Sequence, residues 1–99
     1  MGNDYGGAYL RDIPIGKANG ISRKDLAAKW GTTPREVSAT IARLRNAGHI
    51  IASSNAGYYI PADDEEHREY YAIQRARALS ILQSLKTSRR TLKAAGVEI

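Results

Sequence analysis

The chain has 99 residues, of which 42% are hydrophobic, and its fifteen Lys and Arg against ten Asp and Glu give a net charge of +5. This length suits one small domain and is too short for two. Cysteine is absent, which excludes disulfides and thiolate metal sites, and no apolar run reaches the roughly 20 residues of a membrane span. The basic balance favours polyanionic partners.

The N-terminal residues are expected to contribute little to the core. Residues 1–7 contain three glycines with Asn and Asp, a composition that predicts disorder at a terminus. Ala8–Ile13 is predicted to be a short helix that Pro14 ends. The start of the chain lacks the charged and apolar regions of a signal peptide, so we expect a cytoplasmic protein.

Two helix signals follow in close succession. Ser22 is predicted to cap a helix, with the acid Asp25 three residues on, and Gly31 to end it. Thr33 and Glu36 form a second capping box around Pro34. This second helix should run from Pro34 to about Ala47, with Gly48 as a left-handed stop, and its apolar residues at helical spacing are Val37, Ile41 and Leu44.

The pattern then changes from helical to β-prone. Residues 49–53 and 58–60 predict two strands, and 54–57 predict the turn between them. Pro61 closes this hairpin. Two strands alone are marginally stable, so the hairpin is expected to pack on the helices.

Residues 62–95 predict one long helix, followed by a tail at 96–99. Gly and Pro are absent from 62 to 95, and the first turn is acidic while the last turns are basic, which complements the helix dipole. Residues 62–69 carry a net charge of −4 and residues 70–99 a net charge of +5. An interrupted heptad pattern predicts a homodimer interface formed by Ala78, Ile81, Leu82, Leu85 and Leu92. The alternative is a tail that folds back on its own domain or frays beyond about Leu85.

The order helix, short turn, helix, hairpin is that of a winged helix-turn-helix. The stretch DLAAKWGTTPREVSATIARLRNAGHI resembles this family, and the longer stretch from Ile15 to Pro61 is similar to small winged-helix proteins of phages and prophages. The resemblance implies a mainly α fold with a small β-hairpin. We therefore expect a winged domain over 8–61, and the long C-terminal α-helix predicted above follows it.

The face of the second helix opposite its apolar stripe predicts a DNA-reading surface. Arg can donate two bonds to guanine, Asn can pair with adenine, and Ala methyls meet thymine methyls in a major groove. Because helix-turn-helix proteins read mainly with the N-terminal part of this helix, we expect base contacts from Arg35, Ser38 and Ala39. Arg43 and Asn46 are expected to contact bases or phosphates.

Phosphate contacts are predicted on both sides of that helix. Arg23 and Lys24 lie at the N-terminus of the first of the two helices, where free backbone amides, the helix dipole and the two cations together suit a phosphate. Thr33 caps the second, DNA-reading helix. Ser54 and Asn55 at the hairpin tip are candidate wing contacts, although the tip has no Lys or Arg.

No motif in the chain predicts an enzyme. His49 and His67 are isolated, so no metal site is expected, and the acids at 63–66 are typical of dipole compensation rather than of a catalytic pair. No cofactor, small-molecule ligand or membrane partner is expected. The leading hypothesis is double-stranded DNA binding by a phage-type transcription regulator or replication accessory. The alternative is a protein–protein interaction module using the winged domain and the C-terminal helix.

Overall fold

The computed structural model describes residues 5–99, and the expected fold class is confirmed: the chain is mainly helical, with a two-stranded hairpin and a long C-terminal helix. The chain divides into two compact units, one ending at Arg68 and the other spanning Glu69–Ile99. The elements in chain order are α1 (Tyr5–Leu10), α2 (Arg23–Trp30), α3 (Pro34–Asn46), β1 (Ala52–Ser54), β2 (Gly57–Tyr59) and α4 (Asp64–Ala94).

The first helix begins earlier than the sequence predicted. The predicted disorder of residues 1–7 lies outside the described residues for 1–4, whereas residues 5–7 form the first turn of α1. Packing of Tyr9 and Leu10 against the core offsets the poor helix propensity of the glycines. The helix ends at Leu10 rather than Ile13, because the Ile13 amide donates to the nearer Leu10 carbonyl (3.1 Å) in a tighter final turn.

The predicted boundaries of α2 are confirmed by its hydrogen bonds. The Ser22 hydroxyl accepts from the Asp25 amide at 3.0 Å, as an N-cap does. Gly31 adopts the left-handed conformation (φ 65°), and the Thr32 amide donates to the Ala27 carbonyl at 2.9 Å, which is the Schellman termination that favours glycine.

The Trp30 side chain at the end of α2 is a packing residue. It is half-buried against the core, and its ring meets that of Tyr9 edge to face at a centroid distance of 4.7 Å. Its indole Nε1 donates to Asp12 Oδ2 at 2.8 Å, while Lys29 Nζ lies 3.5 Å from Asp12 Oδ1. The polar edge of the indole is therefore satisfied within the chain.

The third helix also begins and ends as predicted. The Thr33 hydroxyl accepts from the Glu36 amide at 3.2 Å, with Pro34 in the first turn. Gly48 has φ 104°, and the His49 amide donates back to the Leu44 carbonyl at 3.1 Å, a second Schellman motif. The helix packs directly against α2.

The hairpin is displaced from its predicted limits. Strands β1 and β2 pair antiparallel through Ala52–Tyr59, Ser53–Tyr58 and Ser54–Gly57, instead of pairing 49–53 with 58–60. The shift has two causes. The amides of 48 and 49 still bond to carbonyls of α3, and the Ile60 amide donates to the Pro14 carbonyl at 2.8 Å.

Residues before α2 extend this small sheet. Ile21 and Tyr58 exchange two backbone hydrogen bonds of 2.8 and 2.9 Å, and Ile15 forms a parallel bridge with Ile60. Gly57 has φ 117°, and a Cβ at this position would collide with the Ile21 carbonyl oxygen. The hairpin is therefore stabilised by backbone hydrogen bonds to the segment before α2, which the sequence did not predict.

One hydrophobic core holds these elements together. The predicted stripe of α3 is buried. It packs against residues of the segment between α1 and α2, of α2 itself and of the segment that leads into β1. The buried cluster consists of Ile13, Leu26, Ala27, Val37, Ile41, Leu44 and Ile51.

The long helix α4 has well-defined ends close to those predicted. Asp63 Oδ1 accepts from the Glu66 amide at 2.9 Å, so Asp63 is the cap. At the other end Gly96 has φ 82°, and the Val97 amide donates to the Leu92 carbonyl at 2.9 Å, a third Schellman motif. Among residues 5–99, no helix combines the length and apolar character needed to cross a membrane.

Candidate functional site

The exposed face of α3 contains the residues that the sequence selected for base reading. Arg35, Ala39 and Asn46 are exposed and Ser38 is half-buried. The exposed Ala42 lies among them. Small side chains at the centre of a helix face, with cations beside them, allow that face to approach another surface closely.

A hydrogen bond joins this face to the start of α2. Arg23 Nη1 donates to Ser38 Oγ at 3.1 Å, and both residues are accessible. Two residues selected for different roles, phosphate contact and base contact, are thus adjacent on one surface. Lys24 follows Arg23 in the chain and is exposed, so a second cation lies at the start of α2 beside the one that contacts the α3 face.

Two other candidate residues, Arg43 in α3 and its cap Thr33, form hydrogen bonds within or next to this helix. Arg43 Nη2 donates to the hydroxyl of Thr40 at 3.3 Å, one turn earlier on the helix. The Thr33 hydroxyl is the cap of α3, which leaves its hydrogen as a donor to a ligand. Two acids, Asp25 in the first turn of α2 and Glu36 in the first turn of α3, reduce the positive potential there.

Two residues of α3 have structural roles that the sequence analysis missed. Thr40 is buried with the apolar stripe, and its position about 40° from Leu44 and about 60° from Val37 on a helical wheel would have indicated this. Arg45 Nε donates to the Ile51 carbonyl at 2.9 Å and so joins α3 to the segment entering β1. The latter contact depends on the path of the chain after Gly48, which no local pattern specifies.

The hairpin tip offers few groups to a polyanion. Asn55 and Ala56 are the two residues between the strands, and both are exposed. Ser54 Oγ accepts from the Ala56 amide at 3.1 Å, so this hydroxyl oxygen stabilises the turn. The candidate wing contacts are therefore limited to the Ser54 hydroxyl hydrogen and the Asn55 amide.

The second unit presents a separate candidate surface on α4. The residues selected for a dimer interface are all exposed, with Ile81 61% and Leu85 57% accessible. A shallow groove of about 380 Å³ runs along one side of this helix, and its lining is Leu79, Leu82, Gln83, Leu85, Lys86 and Arg89. This lining is mostly apolar toward Leu79 and cationic at the other end, where Lys86 and Arg89 lie.

Comparisons of the chain with known protein families, with curated proteins and with solved structures find no match. Within residues 5–99, no group of three or more His, Asp or Glu side chains is arranged to hold a metal ion.

Proposed function

We propose that this chain binds double-stranded DNA as a winged helix-turn-helix protein, with α3 in the major groove. The observation that carries this inference is the Arg23–Ser38 hydrogen bond, because it joins a cation at the start of α2 to the exposed face of α3. A reading helix flanked by phosphate-binding cations is how helix-turn-helix proteins contact a duplex. The basic net charge of +5 supports a polyanionic partner.

Each candidate residue has a distinct chemical role. Arg35 near the N-terminus of α3 donates two bonds to a guanine, and Ala39 contacts a thymine methyl. Arg43 and Asn46 contact bases or phosphates farther along the groove. The side chains for phosphate contact are those of Arg23, Lys24 and Thr33, with Ser54 and Asn55 adding weak contacts from the hairpin.

The DNA-binding protein is also proposed to form a homodimer through the apolar side chains of α4. Its interface residues are Ala78, Ile81, Leu82, Leu85 and Leu92, and a two-fold dimer would read a two-fold site. Such a protein would act in the cytoplasm as a phage-type transcription regulator or a replication accessory.

The second candidate function is protein–protein interaction. The observation that favours it is the exposed apolar surface of α4, where Leu82 is 53% and Leu85 57% accessible. Docking through apolar surface changes little with salt, whereas DNA binding through several cations weakens steeply. Salt dependence therefore separates the two candidates.

Fluorescence anisotropy with a pool of random duplexes at two salt concentrations tests DNA binding. The wild type is compared with a variant carrying Arg35→Ala and Arg43→Ala. We expect binding that salt weakens and that the double variant largely loses. Absence of binding by the wild type at low salt would reject DNA recognition, and the protein would then be used as bait for a partner protein.

A further inference from the structure

Charge is distributed unevenly along α4. Its first six residues, 64–69, contain four acids and one arginine, for a net charge of −3. Residues 70–94 contain no acid, and their net charge is +6; their cations are Arg75, Arg77, Lys86, Arg89, Arg90 and Lys93. The helix is thus acidic at one end and basic over the rest of its length.

The apolar stripe of this helix is ordered but uncovered. Along the whole of Asp64–Ala94 no residue is buried, although large apolar side chains recur at helical spacing from Tyr71 to Leu92. The helix does not end early, because its last carbonyls accept the amides of Gly96 and Val97. Helices in proteins gain most of their stability from packing an apolar face. A helix of this length with an uncovered apolar face is therefore expected to bind a partner.

We propose that the stripe is covered by the α4 helix of a second copy, running antiparallel. This inference rests on the homodimer in the proposed function and adds its orientation. Parallel helices would bring two segments of charge +6 side by side, whereas antiparallel helices bring the acidic turn of each copy beside the basic end of the other. Packed helices lie about 8–10 Å apart, close to the screening length at physiological salt, so these charges interact.

The charge pattern also fixes where the two helices cross. The midpoint between the acidic residues 64–69 and the last basic segment, 86–93, falls at Ala78. This alanine lies in the stripe, and its small side chain lets two helices approach closely. A two-fold axis there places Leu85 of one copy beside Tyr71 of the other, and both side chains are exposed in the single chain.

Spin labelling tests the orientation, and the chain suits it because it has no cysteine. Thr91→Cys places a label 13 residues from the crossing point, so the labels of an antiparallel pair are about 39 Å apart along the helix axis at 1.5 Å per residue. Ser80→Cys is the matched control, because its two labels are only about 6 Å apart along the axis and so give a much shorter distance. Both positions are exposed, so neither substitution removes a packed side chain.

The outcomes are distinct. A long distance from position 91 with a short one from position 80 supports the antiparallel pair. Short distances from both positions would overturn it in favour of a parallel dimer, leaving the homodimer itself intact. A sedimentation mass of 10.8 kDa with no inter-label signal would overturn dimerisation altogether. DNA is absent from the experiment, so none of these results depends on DNA binding.

Discussion

The two cations at the start of α2 provide the sharpest test of how the protein would contact DNA. The perturbation is Arg23→Ala with Lys24→Ala. Both side chains are exposed, and neither takes part in the cap of α2, which joins Ser22 to the Asp25 amide. The variant should therefore keep its fold while losing the two proposed phosphate contacts.

The expected magnitude follows from counterion release. Each phosphate contact contributes about −0.9 to the slope of log K against log salt, so losing two reduces the slope by about 1.8. Between roughly 50 and 200 mM salt, the affinity ratio of wild type to variant should then shrink by about twelvefold. The assay is fluorescence anisotropy over that salt range with a single duplex.

A matched control separates a local contact from a general effect of charge. Arg75→Ala with Arg77→Ala removes the same charge from exposed positions of α4 that lie outside the basic segment 86–93. We expect this control to change the slope much less. An unchanged slope for the α2 variant, or an equal change in the control, would refute the assignment of Arg23 and Lys24 to phosphates.

Two further predictions concern stability. Asp12→Ala leaves the Trp30 indole without its acceptor and should destabilise the fold by about 1.5–3 kcal/mol. Asp12→Asn should destabilise it less. Urea unfolding followed by the fluorescence of this single tryptophan measures both variants, and equal losses of stability would contradict the role of the hydrogen bond. Gly57→Ala combines a disfavoured φ with a collision against the Ile21 carbonyl and should cost at least about 2 kcal/mol. A thermal midpoint equal to wild type would show that the hairpin does not need this close approach.

Local chemistry explains which elements could be predicted. The limits of α2 and α3 follow from side chains within four residues of each end, such as the Ser22 and Thr33 caps and the Gly31 and Gly48 stops. Such signals are contained in short stretches of sequence. The same holds for the start of α4 at its Asp63 cap.

The features that were missed depend on contacts between distant residues. The strand limits shifted because Ile60 bonds to Pro14 rather than to β1. In the sequence Glu66 is one acid of a helix start. In the structure its carboxylate accepts from the Lys17 amide at 3.1 Å, 49 residues away, and from the Ala62 amide at 3.0 Å. No local pattern contains these pairings, because they require the path of the chain.

The candidate site likewise has features that the sequence predicts and others that depend on how the helices pack. The exposure of Arg35, Ala39 and Asn46 followed from helical periodicity, since these residues lie opposite the apolar stripe. The bond between Arg23 and Ser38 did not, because it joins two helices. Periodicity predicts which face a residue occupies, and the packing of α2 on α3 decides which residues become neighbours.

The bridges that complete the small sheet also have a consequence for the order of folding. Ile15 and Ile60 are 45 residues apart, and Ile21 and Tyr58 are 37 apart, whereas α2 and α3 are separated by three residues. Closing a long loop costs entropy before its contacts form. We therefore expect the α2–α3 pair to form early and the hairpin to dock last, so that during synthesis this unit completes its fold only after Ile60 has left the ribosome.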